Sequence, residues 1–336
     1  MPVITNSLSG VSAKLLDNTN VTLSFDASTS NQIVTLADKT YTNKVTIAKP
    51  NTLVPDNIKK GIEIAGITGT YGEGSTTLKA LLDATKNAGG LFSGYSGSTV
   101  EGLIAAEDTS NVTTMANMFY GCNKLTTIPQ LDTSNVTTMY QMFSNCLLIT
   151  TIPQLDTSNV TTIQRMFYSC SNLVTIPQLN ISKITNIYQM FAHCTHLSSI
   201  PLLDTSEVRD MDGTFLSCYL LTTIPAFNTS KVLSMQSTFN ECSALTTIPA
   251  LDVSNVTTFS HCFDRCTSLK SILMTGMAVS FDISASTQFE TDDLVTILNN
   301  LATITTSQTL TMGATNLAKL SDEQKKIATD KGWTLA

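Results

Sequence analysis

The stretch LDTSNVTTMYQMF at residues 131–143 returns as LDTSNVTTIQRMF at 155–167, and the same interval of 24 residues then holds without insertion. Aligned on it, Asp108, Asp132, Asp156, Asn180, Asp204, Asn228 and Asp252 share one column. Phe119, Phe143, Phe167, Phe191, Phe215, Phe239 and Phe263 share a second, and Cys122, Cys146, Cys170, Cys194, Cys218, Cys242 and Cys266 a third. Leu125, Ile149, Leu173, Leu197, Leu221, Leu245 and Leu269 complete the pattern. A fixed period of this length marks a solenoid, because no unit buries its apolar face alone and stacked neighbours supply the core.

Within one repeat, LTTIPQL (125–131) is β-rich and sets Leu125, Ile128 and Leu131 toward an interior, so the spacing predicts a short strand. Val136, Met139, Phe143 and Cys146 follow at i, i+3, i+7, i+10, which predicts a short helix after an Asp-Thr-Ser turn. Asp132 and Ser134 suit that turn, since their oxygens accept free amide hydrogens. The expectation is an α/β repeat solenoid of seven such rungs over residues 105–272. Residues 75–104 are read as an N-terminal cap, with TTLKALLDATKNAGGLF (76–92) as a helix stopped by Gly-Gly. Residues 273–336 are read as C-terminal βα capping units, with Ser321 and Gln324 as a capping box. Residues 1–74 alternate Thr, Val and Ile between Gly, Pro and Asn, which predicts a small all-β domain of antiparallel strands, with YGEGST (71–76) as the hinge.

Composition narrows the partners. The net charge is −7 and no lysine or arginine cluster occurs, which argues against a surface for phosphate backbones or anionic lipid. No window reaches the ~18 apolar residues of a spanning helix, and MPVITNSLSGVSAK lacks a basic leader pattern. No nucleic-acid, membrane or cofactor partner is expected, and no export signal is read. An odd column of cysteines, with Cys262 one turn before the last, is not a disulfide framework, and stacked neighbours at ~4.8 Å exceed the usual Cβ separation of a bridge, so buried free thiols are expected. HCTH (193–196) and HCFDRC (261–266) hold zinc-ligand types, but their cysteines already belong to the column, and no metal site is expected. The N-x-T/S matches at Asn111, Asn135, Asn159 and Asn255 are locked to the repeat and read as turn residues. Histidine occurs only at 193, 196 and 261, and no carboxylate, histidine and nucleophile recur in one register, so no enzyme is expected.

Positions that change from rung to rung are not required for stacking, and binding specificity can sit there. Tyr140 and Tyr188 share one such register, Tyr120 and Tyr168 another four residues along, and together they are candidates for an aromatic stripe crossing four rungs. Asn117, Gln141, Arg165 and Gln189 form its polar rim. The competing reading is that these rings cover the seams between rungs. Gln130, Gln154 and Gln178 on the strand side are the next candidates, and the Thr126/Thr127, Thr150/Thr151, Thr222/Thr223 and Thr246/Thr247 rows are good exposed strand residues.

The pattern DTSNVTTMxxMFxxC followed by LTTIP resembles the BspA-like leucine-rich repeats of bacterial surface proteins and bacteriophage structural proteins, over roughly residues 100–336. PDNIKKGIEIAGITGTY (55–71) looks like a segment of phage tail and fibre proteins, and LTMGATNLAKLSDEQKKIATDKGWTLA (310–336) is similar to the end of phage-encoded repeat proteins. The resemblance implies a leucine-rich-repeat-like fold and a binding or display role without catalytic residues. It implies a virion protein of tail fibre, baseplate or capsid, joined to other virion proteins through residues 1–74 and contacting a bacterial surface glycan or protein. A homo-oligomer, three-fold by analogy with fibres, belongs to the same expectation. The alternative is a BspA-like adhesin on the bacterial cell surface.

Overall fold

In the computed structural model, residues 1–81 are described only as the backbone of four strands, and from Leu82 onward all residues are described except 84, 101–103 and 105. The chain forms two compact units, residues 1–81 and residues 82–336. The strands of the first are β1 (Val11–Leu15), β2 (Val21–Phe25), β3 (Val45–Ala48) and β4 (Ile62–Glu63), in the sheet order β1-β2-β3-β4. β1 and β2 are antiparallel with Ala13 opposite Leu23, but β2–β3 and β3–β4 are parallel. The antiparallel expectation is corrected to a mixed sheet. Alternation reports which face is apolar and not strand direction, and residues 26–44 between β2 and β3 are far more than a hairpin loop. The QIVTLA strand and the 71–76 hinge lie outside the described residues.

The second unit is a stack. Its axis is a column of phenylalanine rings, Phe92, Phe119, Phe143, Phe167, Phe191, Phe215, Phe239 and Phe263, each nearly parallel to the next at centroid distances of 5.5 to 6.0 Å. Offset stacking of this kind satisfies the ring quadrupole and fills a core without voids. The column begins at Phe92, one level before the seven expected. Gly89 and Gly90 lie in the turns of this extra level, and among the described residues of the expected helix Leu82, Asp83 and Thr85 are helical. The three residues by which it is longer, 27 to Phe119 against 24 elsewhere, hid it from the alignment.

The expected helix inside each rung does not form. From Met115 to Cys122, and at every equivalent stretch, the chain is a succession of turns. Alternate amides close i→i−3 bonds, as Met118 to Met115 and Tyr120 to Asn117, while the others cross to the next level: Asn117 to the Tyr140 carbonyl at 2.8 Å, Phe119 to Met142 at 2.9 Å, Gly121 to Ser144 at 2.8 Å. Two residues per level adopt the left-handed conformation that interrupts a helix. One column is Asn117, Gln141, Arg165, Gln189, Gly213, Ser237 and His261, with φ between 51° and 60°; the other is Gly121, Asn145, Ser169, His193, Ser217, Glu241 and Arg265, with φ between 57° and 72°. Turns closed at i→i−3 bring apolar side chains to one side at nearly helical spacing, which is why the pattern read as a helix. The strand expectation shrinks as well, to parallel bridges such as Thr99 with Thr127 and the pair β5 (Thr247–Ile248) and β6 (Ser271–Ile272). A four-residue helix, α1 (Ala106–Thr109), enters the second level.

Each repeated residue has a place in this stack. Every cysteine is buried and free. The seven on the 24-residue ladder donate their thiols to the phenylalanine carbonyl of the level before, Cys146 to Phe119 at 3.1 Å and Cys170 to Phe143 at 3.0 Å, while from Phe119 onward that carbonyl also accepts its own level's cysteine amide. The column thus needs a residue that is small, apolar and a donor. Asp132, Asp156, Asn180, Asp204, Asn228 and Asp252 accept the amide two residues on, as expected of turn residues. Asn135, Asn159 and Asn255 reach back to Ser110, Ser134 and Ser230 carbonyls at 2.8 Å, so they clamp adjacent levels rather than shape their own turn.

After Phe263 the parallel stacking stops. Phe281 meets Phe263 at 68° and Trp333 at 77°, edge to face. These rings belong to a parallel sheet of β7 (Phe281–Asp282), β8 (Gln308–Thr311) and β9 (Trp333–Leu335). Its connections carry α2 (Thr291–Asn300), α3 (Gly313–Leu317) and α4 (Asp322–Thr329). Ser321 and Gln324 form the reciprocal capping pair at α4, and Lys331 donates to the Leu298, Asn299 and Leu301 carbonyls at the end of α2. A perpendicular ring and true helices in place of turns end the regular stack at this point.

Candidate functional site

The sequence candidates fall on the left-handed columns or beside them. Asn117, Gln141, Arg165 and Gln189 are four successive members of one column. Their amides are committed to the next level, and their side chains point away from the phenylalanine core, half-buried. The four tyrosines are not one continuous stripe. Tyr120 and Tyr168 are separated by the level carrying Ser144, Tyr140 and Tyr188 by the level carrying Gln164, and among the described residues no ring contact joins any two of them. Tyr120 is 39% exposed, and the other three are half-buried.

What gathers Tyr168 and Tyr188 is Arg165. Its guanidinium carbon lies 5.6 Å from the Tyr168 ring centroid and 5.1 Å from that of Tyr188. Nε donates to Gln189 Oε1 at 2.9 Å and Nη2 to the Tyr188 hydroxyl at 3.4 Å. His193, in the second left-handed column, sits edge-on to Tyr168 at 5.3 Å. Gln189 in turn rests over Gly213, where a Cβ would meet Gln189 Cγ at 3.1 Å. The side chains that the structure brings together are therefore Arg165, Tyr168, Tyr188, Gln189 and His193, and the candidates Asn117, Gln141, Tyr120 and Tyr140 lie on earlier levels. His193 was missed because it was weighed only as a metal ligand; its place in a variable column was the available signal.

A second polar cluster lies further along. Glu241 accepts from the Ser217 hydroxyl at 2.7 Å, from the Tyr219 hydroxyl at 3.0 Å and from Arg265. The Ser217 bond first, then Tyr219 and Arg265, hold the Glu241 carboxyl below its usual range. A shallow depression of about 380 Å³ is lined by Tyr219, Glu241, Ser243, Arg265 and Thr267. Here acid and base neutralise one another.

On the strand side, Gln130, Gln154 and Gln178 donate to the Gln154, Gln178 and Leu202 carbonyls of the following level at 2.7 to 2.9 Å. They tie levels together beside an open groove of about 650 Å³ that is also lined by Asp156, Ser158, Asn180, Ser182 and Asp204. His196 bonds the Ser171 carbonyl and His261 bonds Asp264, so the histidines of the two zinc-like motifs are engaged separately.

The repeats match a family described as "Mycoplasma protein of unknown function, DUF285" twice, over residues 87–202 and 185–292, together more than half of the chain. The match supports the BspA-like, leucine-rich reading of the repeats. A comparison with curated proteins finds no match. Among solved structures, a leucine-rich repeat protein of T. pallidum, TpLRR, is similar at 18% identity and a TM-score of 0.40, over 59% of this chain and 88% of that one.

Proposed function

Because the chain belongs to the DUF285 family of repeat proteins, we propose that it is a non-enzymatic binding protein whose stack presents a contact surface to a cell-surface glycan or protein. The observation that carries this is the division of labour within each level. Phenylalanine, cysteine and leucine columns hold the stack, while the left-handed columns keep their backbone and exchange their side chains, which gather into the Arg165 cluster. Aromatic rings with polar tips beside an oriented guanidinium recognise sugars and polar protein surfaces.

The carrier is read as a phage particle, with residues 1–74 joining it to other virion proteins, on the strength of the segments at 55–71 and 310–336 that resemble phage proteins. A bacterial surface adhesin is the second reading, favoured by the family's description as Mycoplasma proteins. Mass spectrometry of purified particles separates them. Presence in the virion is the expected result; absence there with surface labelling on particle-free cells transfers the protein to the bacterium. Replacing Tyr168 and Tyr188 by serine is expected to abolish binding to host cells while the protein stays folded. Full-strength binding by the folded double variant would move the contact surface to the Gln154 and Gln178 groove.

A further inference from the structure

The Arg165 cluster has a polarity that its members do not have separately. Arginine offers only donors, and two of its N–H groups are held by neutral acceptors, the Gln189 amide oxygen and the Tyr188 hydroxyl oxygen. Accepting from Arg165 leaves the Tyr188 hydroxyl its own proton to give. Using Oε1 on Arg165 leaves Gln189 with its Nε2 donors. The open groups therefore include the remaining guanidinium N–H groups, a phenol O–H and an amide N–H₂, so that donors outnumber the lone pairs left on Gln189 Oε1 and the phenol oxygen.

The charge is also uncompensated. Among the described residues no carboxylate forms a salt bridge with Arg165, whereas Arg265 is paired with Glu241 and Lys231 with Glu207. On a chain of net charge −7, Lys183, Lys319 and Lys331 are likewise held by neutral oxygens, but Arg165 differs in lying against two aromatic rings. Its orientation is fixed in advance by two rings and an amide, so little side-chain entropy remains to be lost when an anion arrives.

We infer that the Arg165, Tyr188 and Gln189 donors form a subsite for the oxyanion of an acidic glycan, a sugar carboxylate or a polyol phosphate, with the exposed parts of Tyr168 and Tyr188 against the sugar. This rests on the surface-binding reading above and names its ligand class. Guanidinium and oxyanion match in geometry, and a charge-assisted bond of this kind is lost when either charge is removed.

The test uses the full chain and four probes: a glucuronate-terminated oligosaccharide, its methyl ester, its neutral glucose counterpart and a glycerol phosphate oligomer. Calorimetry should show the acidic probes bound about tenfold or more tighter than the ester and the neutral sugar, with the advantage shrinking in salt. The stronger of the glucuronate and phosphate arms identifies the source of the anion. R165Q should erase that advantage, Y188F should reduce it, and R265Q should leave it intact, with all three melting like the parent. Equal binding of acid and ester, binding of neither acidic probe, or an R165Q protein that still prefers acid overturns the subsite. Parent protein that binds cells equally well as R165Q also overturns it while leaving the surface reading standing. Parent protein that binds the acidic probes but no cells keeps the subsite and removes the surface reading.

Discussion

The phenylalanine and cysteine columns and the two left-handed columns share one spacing, yet they repeat different things. Along the first the side chain is constant: Phe119 to Phe263 and Cys122 to Cys266 are the same residue at every level, fully buried. Along the second the torsion is constant and the side chain is not, running Asn117, Gln141, Arg165, Gln189, Gly213, Ser237, His261. A non-glycine residue there costs on the order of 1 kcal/mol, offset by an amide bond to the next level. Identity is thus conserved from level to level where packing demands a shape, and only conformation where the demand is on the backbone. The freedom left to those side chains is where recognition can be written.

Alkaline pH attacks the first column most strongly. Burial pushes the thiols of Cys170, Cys194, Cys218, Cys242 and Cys262 above the ordinary 9.0, and that of Cys266 up to about 12. Between these values the folded protein keeps protons that the unfolded chain releases, so stability is complete below pH 9 and falls as pH rises. Each such thiol contributes about 1.4 kcal/mol per pH unit, and urea midpoints should drop steeply as pH rises from 9 toward 12, the span between the ordinary and raised values. A flat profile would mean that the thiols reach solvent.

Phe167→Ala comes next, at roughly 3 to 5 kcal/mol, since it leaves a gap between two rings that are themselves stacked on both sides. Cys170→Asp should be comparable, for it buries a charge without a partner. Cys170→Ala should cost only about 1 to 2 kcal/mol, because the Phe143 carbonyl keeps the Cys146 amide when it loses the thiol. In the surface column, Gly213→Val should cost about 1 to 2 kcal/mol through left-handed strain, and it should displace Gln189 and weaken ligand binding. Arg165→Gln should change the melting temperature least of all. If it lowers stability as much as Cys170→Ala does, the cluster is a seam cover and the contrast between columns fails.

Much of the stack was legible in the sequence. The columns, the buried thiols, the turn aspartates and the α4 capping pair all follow from residue type at fixed spacing. The level at Phe92 escaped because its interval is three residues longer, and the asparagine clamps escaped because residues 25 apart meet only after stacking. The candidate site was half legible: variable positions were visible, but not that Arg165 joins Tyr168 and Tyr188 while Tyr120 and Tyr140 stay apart.

The sequence alone determined the period and, through it, which side chains must be buried, because apolar residues recurring at a constant interval have one common way to leave water. Only the tertiary structure decided what backbone joins them. Helix and turn ribbon place apolar residues at nearly the same spacing, and the choice lies with amides that find carbonyls 23 residues further along, at Tyr140, Met142 and Ser144, instead of four residues back. Those partners do not exist for a single repeat; they appear when the next one is laid beside it.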